Sequence, residues 1–376
     1  MKVVIVAGPF FSVPPAPSGA VQRVWNDLAP YFTARGHEVT IVCRDHPALP
    51  KDIGGERLRY IRSPQYRQTG RLPIDLIKDC VYSLGVQWRL PAADIYVLNA
   101  FWLPVFTPRL QGTHRAYAVA VQRMPKGQFW LYPRCQRFSA VSHAVADALA
   151  KENPSYAART RVIANPIHTD VFVPPQQRAW GDAPQTILYT GRIHPEKGLH
   201  LLIDAFRLIH ERHPTTRLRL VGPVRAAEGG GGEAFQDSLA RKAHSLPVEF
   251  GAAINDRPGL ARELQAAHYY CYPSTADAGE TFGVAPLEAM ATGLPTVVSA
   301  LSCFTDFVRD GENALVFDHR APDAANRLAA ALDRLVTAPA LREQLSREAA
   351  STAARFSYEA IADAYLADFA SLLAAS

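Results

Sequence analysis

Glu280 and Glu288 stand with seven residues between them in the stretch Gly279-Glu-Thr-Phe-Gly-Val-Ala-Pro-Leu-Glu-Ala-Met-Ala-Thr-Gly-Leu-Pro295. An apolar run ending in Tyr272-Pro-Ser274 precedes this stretch, and a helix opens near Phe282–Gly283. A glycine ahead of a helix lets the backbone come close to an anion, and the first-turn amides, with the helix dipole, then bind phosphate. Glu280 falls in the loop before that turn, and Glu288 about one and a half turns inside the helix. Carboxylates repel phosphate, so glutamates flanking such a turn suit hydroxyl groups, as on a sugar or ribose. Taken alone, the spacing is common by chance.

A second stretch, Tyr189-Thr-Gly-Arg-Ile-His-Pro-Glu-Lys-Gly198, supplies the missing cations. Arg192 and Lys197 fall on a strand-to-helix turn, at the edge of a sheet where an anion would arrive. Arginine offers a forked donor and lysine a point charge, together able to neutralise a leaving pyrophosphate without metal. The plainer reading is a solvated basic turn beside Glu196.

The elements that must position these residues alternate along the chain. Val3–Ala7, Glu38–Cys43, Leu58–Ile61, Asp94–Asn99, Tyr117–Val121, Phe138–Val141 and Val162–Ala164 read as strands, with helices over Gly19–Arg35, Leu72–Leu90 and His143–Glu152. After a Pro-rich stretch from Val173 to Pro184 the pattern restarts. Strands fall at Thr186–Thr190, Arg217–Val221, Val248–Phe250, Tyr269–Tyr272, Thr296–Ser299 and Ala314–Phe317. Helices fall at Gly198–His210, Glu233–Ser245, Pro258–Ala266, Val284–Ala291 and Ala321–Leu335. Such alternation predicts an α/β fold of two parallel, doubly covered sheets, which bind ligands at the carboxyl ends of their strands. The glycine run Gly229–Gly232 reads as a flexible loop tip. Leu72–Leu90 reads as a helix laying its apolar stripe on the sheet; the other reading is a surface helix touching a membrane or a lipid-linked acceptor.

Bulk properties narrow the function classes. At 376 residues the chain has room for two domains. No apolar stretch reaches the length of a membrane span. The five cysteines are scattered, as expected of free thiols in a reducing, cytoplasmic compartment. Residues 1–180 carry 22 Lys and Arg against 11 Asp and Glu, whereas residues 181–376 carry 18 against 24. A basic first half suits an acidic acceptor or the anionic inner face of a membrane. The basic residues follow no nucleic-acid-binding module, so no nucleic-acid partner is expected. Neither Gly8 nor Gly191 continues as G-x-G-x-x-G, which disfavours a dinucleotide-dependent oxidoreductase.

Gly191-Arg192…Lys197-Gly198 with Glu280-x-Phe282-Gly283…Glu288-Ala289-x-Ala291-x-Gly293-x-Pro295 resembles the retaining family-4 glycosyltransferases, the glycosyl transferases group 1, with the GT-B fold. Arg35-Gly36-His37-Glu38-Val39, Ala140-Val141-Ser142, Asn165-Pro166-Ile167-His168 and Asp310-Gly311-Glu312-Asn313 resemble further family segments in the same order. The resemblance implies two Rossmann-like domains facing across a deep cleft. Residues 1–178 would form the acceptor-binding domain, joined by a C-terminal helix at about 357–376 that crosses back to it. Residues 179–356 would form the nucleotide-sugar-binding domain.

The implied activity is a hexosyltransferase reaction with retention, from a nucleotide-diphosphate sugar to a hydroxyl of a glycan or lipid-linked acceptor, in bacterial surface polysaccharide or glycolipid synthesis. It implies no metal and no cofactor beyond the donor. Arg192 and Lys197 would hold the diphosphate, Glu280 the donor sugar, and Glu288 the ribose. The backbone at Phe282, Gly283 and Val284 would meet the distal phosphate or sugar. Ala253, in the turn Gly251–Ile254, would lie along the base, and Gly19 would approach the diphosphate. Many members carry a histidine where this chain has Gln122, which can hydrogen-bond a sugar but cannot shuttle a proton. His114 and His143 are the other acceptor-side candidates. A sugar-nucleotide epimerase of the same fold and a non-catalytic nucleotide-sugar-binding protein are the alternatives.

Overall fold

The computed structural model describes residues 1–13, 19–45, 55–64, 66–106, 116–178, 180 and 184–375. The chain divides into two compact units, Met1–Pro166 with Tyr358–Ser376, and Ile167–Ser357.

The first unit is built on seven strands: β1 (Lys2–Val6), β2 (Glu38–Arg44), β3 (Leu58–Ser63), β4 (Ile95–Leu98), β5 (Ala116–Val121), β6 (Arg137–Ala140) and β7 (Thr160–Val162). They pair in parallel in the order β3-β2-β1-β4-β5-β6-β7. Its helices are α1 (Ala20–Ala34), α2 (Leu72–Val86), α3 (Leu103–Phe106) and α4 (His143–Glu152). The central strands are unbroken apolar runs, Val3–Val6 and Ile95–Leu98, because both faces of a parallel sheet are covered. α1 buries Trp25, Leu28, Ala29 and Phe32, one stripe at helical spacing.

The second unit repeats the plan with β8 (Gln185–Thr190), β9 (Thr216–Val221), β10 (Val248–Gly251), β11 (Tyr269–Tyr272), β12 (Thr296–Ser299) and β13 (Leu315–Phe317). Their order is β10-β9-β8-β11-β12-β13, again all parallel. Its helices are α5 (Leu199–Arg212), α6 (Glu233–Lys242), α7 (Arg257–Ala266), α8 (Val284–Ala291), α9 (Ala324–Thr337) and α10 (Pro339–Ala354). In each sheet the strand order reverses once, between β1 and β4 and between β8 and β11.

The last helix, α11 (Tyr358–Ala374), belongs to the first unit. Tyr365 packs at 4.9 Å from Trp25, and Phe369 meets Phe32 edge-on at 6.4 Å between ring centres. Asp368, buried, pairs with Arg137 at 3.0 Å, and Asp363 pairs with Arg35 at the surface.

Three details depart from the sequence reading. The division falls at Ile167 rather than after residue 178. The Ile167 amide donates to the Phe356 carbonyl at 2.8 Å, and Gln265 Nε2 donates to the Val173 carbonyl at 2.9 Å. Arg178, whose guanidinium burial pulls down to about 10, donates to the Thr292 carbonyl at 2.9 Å. The Pro-rich stretch up to Arg178 is therefore hydrogen-bonded into the second unit. α6 stops at Lys242 rather than Ser245, which adopts a left-handed φ of 68°. α2 does not lay its apolar stripe on the sheet. It buries Asp75, Asp79, Tyr82, Ser83 and Val86 and leaves Leu72, Ile77, Val81 and Leu84 exposed.

Candidate functional site

The reversal between β8 and β11 carries the charged residues. β8 ends at Thr190 and the chain turns through Gly191–Gly198; β11 ends at Tyr272 and the chain loops through Pro273–Gly283. The two loops are stitched together. The Thr275 amide donates to the Glu196 carbonyl at 2.9 Å, and the Ser274 hydroxyl to the same carbonyl at 3.3 Å. Gly198, with φ of +67°, caps the short turn Pro195–Lys197, and a Cβ there would lie 2.1 Å from the Pro273 carbonyl oxygen. Only glycine satisfies both the backbone angle and this close approach.

At this junction the charges form an alternating row. Arg192 Nη2 donates to Glu196 Oε1 at 2.5 Å, Glu196 Oε1 lies 4.0 Å from Lys197 Nζ, and Lys197 Nζ donates to Glu280 Oε2 at 2.6 Å. Lys197 is only 5% exposed, whereas the Arg192 side chain is 41% exposed. The inner pair is thus a hydrogen-bonded ion pair with a buried lysine and a largely covered glutamate, of the kind whose loss of one partner is strongly destabilising. Glu280 is also reached by Ser274 Oγ at 3.1 Å and by the Tyr272 hydroxyl at 3.3 Å. Burial first, and then the charge of Glu280, pushes the Tyr272 hydroxyl well above its ordinary range, so it stays protonated and donates. Lys197 Nζ sits 5.4 Å from the centre of the Tyr272 ring. Tyr272 in turn stacks between Tyr189 at 5.6 Å and Tyr270 at 6.5 Å. The Tyr189 hydroxyl donates to the Arg192 carbonyl at 2.9 Å and fixes the turn that carries the arginine.

α8 opens beside this row. Gly283 is its N-cap at φ of +101°, and a Cβ there would come within 2.4 Å of Phe304 Cε1. The amides of Val284 and Ala285 follow in the first turn, where no intrahelical acceptor exists. Phe282 buries its ring against Phe307 and Phe356, at 5.3 and 5.9 Å, so it offers a ligand its backbone alone. Glu288 is half-buried on α8, and its charge adds to the burial that raises the Tyr270 hydroxyl, against the opposing effect of the bond to Thr190. Ala253 is half-buried just past β10, two strands away from β8.

The remaining sequence candidates belong to the first unit. Gly19 is the N-cap of α1, where Gln22 Oε1 would stand 2.0 Å from an added Cβ. Gln122 is half-buried directly after β5, and His143 is exposed at the start of α4, whose N-cap Ser142 accepts from the Val145 amide at 3.2 Å. His114 lies outside the described residues.

The sequence reading missed Glu196, Tyr272 and Ser274 as members of the row. Glu196 was detectable, because it stands four residues after Arg192; the other two carry no spacing signal. The run Gly229–Gly232 also needs correcting. It is tied into the second unit, with Arg192 Nη1 donating to the Gly229 carbonyl at 2.8 Å and the Gly231 amide donating to the Ile193 carbonyl at 2.8 Å. A Cβ on Gly230 would lie 2.0 Å from the Val224 carbonyl oxygen, so the run is a close-packed seat for the arginine turn.

Comparison with known proteins gives the same reading at both ends of the chain. Residues 19–171 match the model for Glycosyltransferase Family 4, and residues 174–352 that for Glycosyl transferases group 1. A D-inositol 3-phosphate glycosyltransferase of Kribbella flavida is 34% identical over 222 residues, covering 56% of this chain and 51% of the relative. The chain thus spans about half the length of that curated relative. In fold, it superposes on sucrose-phosphate synthase from Thermosynechococcus elongatus with a TM-score of 0.78 over the whole of both chains, at 21% identity. It superposes on Anabaena HepE in complex with UDP and glucose with a TM-score of 0.71, covering 99% of this chain and 100% of the other, at 17% identity. With two parallel Rossmann-like sheets, a charged strand reversal in the second and matches to both family models, the chain belongs to the family-4 glycosyltransferases of GT-B fold.

Proposed function

We propose that the chain is a retaining glycosyltransferase that moves a hexose from a nucleotide-diphosphate sugar to a hydroxyl of a glycan or lipid-linked acceptor. The observation that carries this reading is the largely covered Lys197–Glu280 pair beside the start of α8. Before donor arrives, cation and carboxylate satisfy each other. A diphosphate seated on the amides of Val284 and Ala285 draws Lys197 and Arg192 toward its own charge. Glu280, still held by Tyr272 and Ser274, is then left to accept hydrogen bonds from the donor sugar. Glu288 takes the ribose hydroxyls.

In the reaction the bond from the anomeric carbon to the diphosphate oxygen breaks as Lys197, Arg192 and the helix start stabilise the charge on the departing phosphate. The acceptor hydroxyl forms the new bond on the same face and gives its proton to the leaving phosphate. This route needs neither a protein base nor a metal. UDP in HepE supports a uridine donor, and the Kribbella relative's name supports an inositol phosphate among acceptors to be tried. The setting we propose is surface polysaccharide or glycolipid synthesis on the cytoplasmic side of a bacterial membrane.

Thermal shift with UDP-, GDP- and ADP-sugars identifies the donor, since a ligand at a hundred times its Kd adds about 2.7 kcal/mol of stability. Donor turnover by Arg192→Ala is the direct test: full retention sinks the role assigned to that residue. Acceptor-independent conversion of the donor would instead reveal an epimerase. Donor binding with neither transfer nor hydrolysis would reveal a non-catalytic binding protein.

A further inference from the structure

α2 presents its apolar side to solvent. Ile74, Ile77, Val81, Leu84 and, just past the helix end, Trp88 follow one another at alternating spacings of three and four, which places them on one face. All five are exposed, Ile77 at 65% and Trp88 at 74%. The opposite face buries Asp75, Asp79, Tyr82, Ser83 and Val86, and both carboxylates are hydrogen-bonded. Asp79 accepts from the amides of Trp102 and Phe101 at 2.9 and 3.2 Å, and Asp75 from the amides of Thr69 and Gly70 at 2.9 and 3.1 Å. These bonds fix which side of the helix turns inward. A contiguous outward apolar stripe of this kind marks a contact surface.

The same segment carries charge of one sign. Between Tyr66 and Leu90 the only carboxylates are Asp75 and Asp79, both buried. Arg67, Arg71 and Arg89 are exposed, and Lys78 Nζ donates to the Arg67 carbonyl at 2.6 Å. The first unit as a whole holds 21 Lys and Arg against 13 Asp and Glu, the second 19 against 22.

We infer that the outer face of α2 docks on the surface of an anionic phospholipid bilayer. An interfacial helix pairs an apolar face with arginine and lysine that reach the headgroups, and tryptophan suits the boundary. At 15 residues α2 is short of the roughly 20 a span requires, so it lies on the bilayer. A second copy of the chain is the competing cover, and charge disfavours it. Two-fold pairing of α2 with itself in antiparallel fashion sets Arg71 against Arg89 of the partner subunit, with no carboxylate on either outer face to separate them.

The test is co-sedimentation of the full chain with phosphatidylcholine vesicles, alone or with about a quarter phosphatidylglycerol. Binding is expected only with the anionic lipid and should weaken steeply with salt. Ile77→Ser with Val81→Ser should lower it at least tenfold, and Arg71→Gln or Arg89→Gln about fivefold each. All of these variants should keep wild-type unfolding temperatures, since none of the side chains is buried. Equal binding to neutral vesicles, wild-type binding by the serine variant, or a dimer in solution that the serine variant dissociates would each overturn the inference. The vesicle test uses neither donor nor acceptor, so its failure leaves the proposed reaction standing, and failure of that reaction leaves the docking face standing.

Discussion

The two sheets reverse their strand order in the same way and fill the reversal with opposite chemistry. Beside β1 and β4 neutral side chains tie the strand ends together: Gln22 Nε2 donates to the Ala7 carbonyl at 2.6 Å, Asn99 Nδ2 to the Val6 carbonyl at 3.0 Å, and Trp25 Nε1 to Asn99 Oδ1 at 3.1 Å. Beside β8 and β11 two cations and two carboxylates stand in line, the inner pair largely covered. Both units have a crevice edge where the strand order reverses, but among the described residues the row of paired charges stands in the second.

Breaking the inner pair should give the largest effect. Lys197→Met leaves the largely covered Glu280 carboxylate without its cation, so stability should fall by about 3–5 kcal/mol in chemical denaturation. Donor hydrolysis should fall by about a hundredfold or more. Adding Glu280→Gln should restore most of the stability and none of the turnover. Recovery of both would mean that the pair serves packing alone.

Gly283→Ala comes next. The added methyl meets Phe304 at a positive φ, and the cost should be about 1–3 kcal/mol together with weaker donor binding by titration calorimetry. Tyr272→Phe removes one donor to Glu280 while keeping the stacked ring. Stability should drop by about 1 kcal/mol, and kcat should fall more than KM rises. Gln22→Ala is the matching test in the first unit. It should cost about 1 kcal/mol for one lost hydrogen bond, and leave donor affinity unchanged. An equal loss of donor affinity would erase the contrast between the two reversals.

The smallest effect lies on the surface of the first unit. The bond from Arg35 holds the Asp363 carboxyl below its ordinary value. A depressed folded value means the contribution is present above the usual carboxyl range and is lost as pH falls through the lowered one. Arg35→Gln should flatten that acid limb slightly in thermal unfolding below about pH 4. The exposure of the pair keeps the effect small.

Much of the second unit was legible because its strands are short apolar runs bounded by turn residues. Tyr269–Tyr272, Thr296–Ser299 and Val284–Ala291 have in the structure the limits read from sequence. The contact of Lys197 with Glu280 was not legible, since 83 residues separate them and no periodicity links the two loops. The orientation of α2 was misread for a specific reason. Its apolar spacing argued for burial, but carboxylates that cap backbone amides of neighbouring loops decided the inward face. Which of two amphipathic sides turns inward depends on partners distant in sequence, and local pattern does not contain them.

The return of α11 to the first unit bears on how the chain is made. Synthesis runs from the amino to the carboxyl end, so the whole of Ile167–Ser357 must be translated before the helix that covers Trp25 and Phe32 exists. The second unit is one continuous segment and can close as soon as it is available; the first waits with an apolar helix face exposed. That interval is when the nascent chain is most prone to aggregation. A fragment ending at Pro166 would stay in that state, whereas residues 1–166 joined by a short linker to 358–376 would carry every element of the first unit.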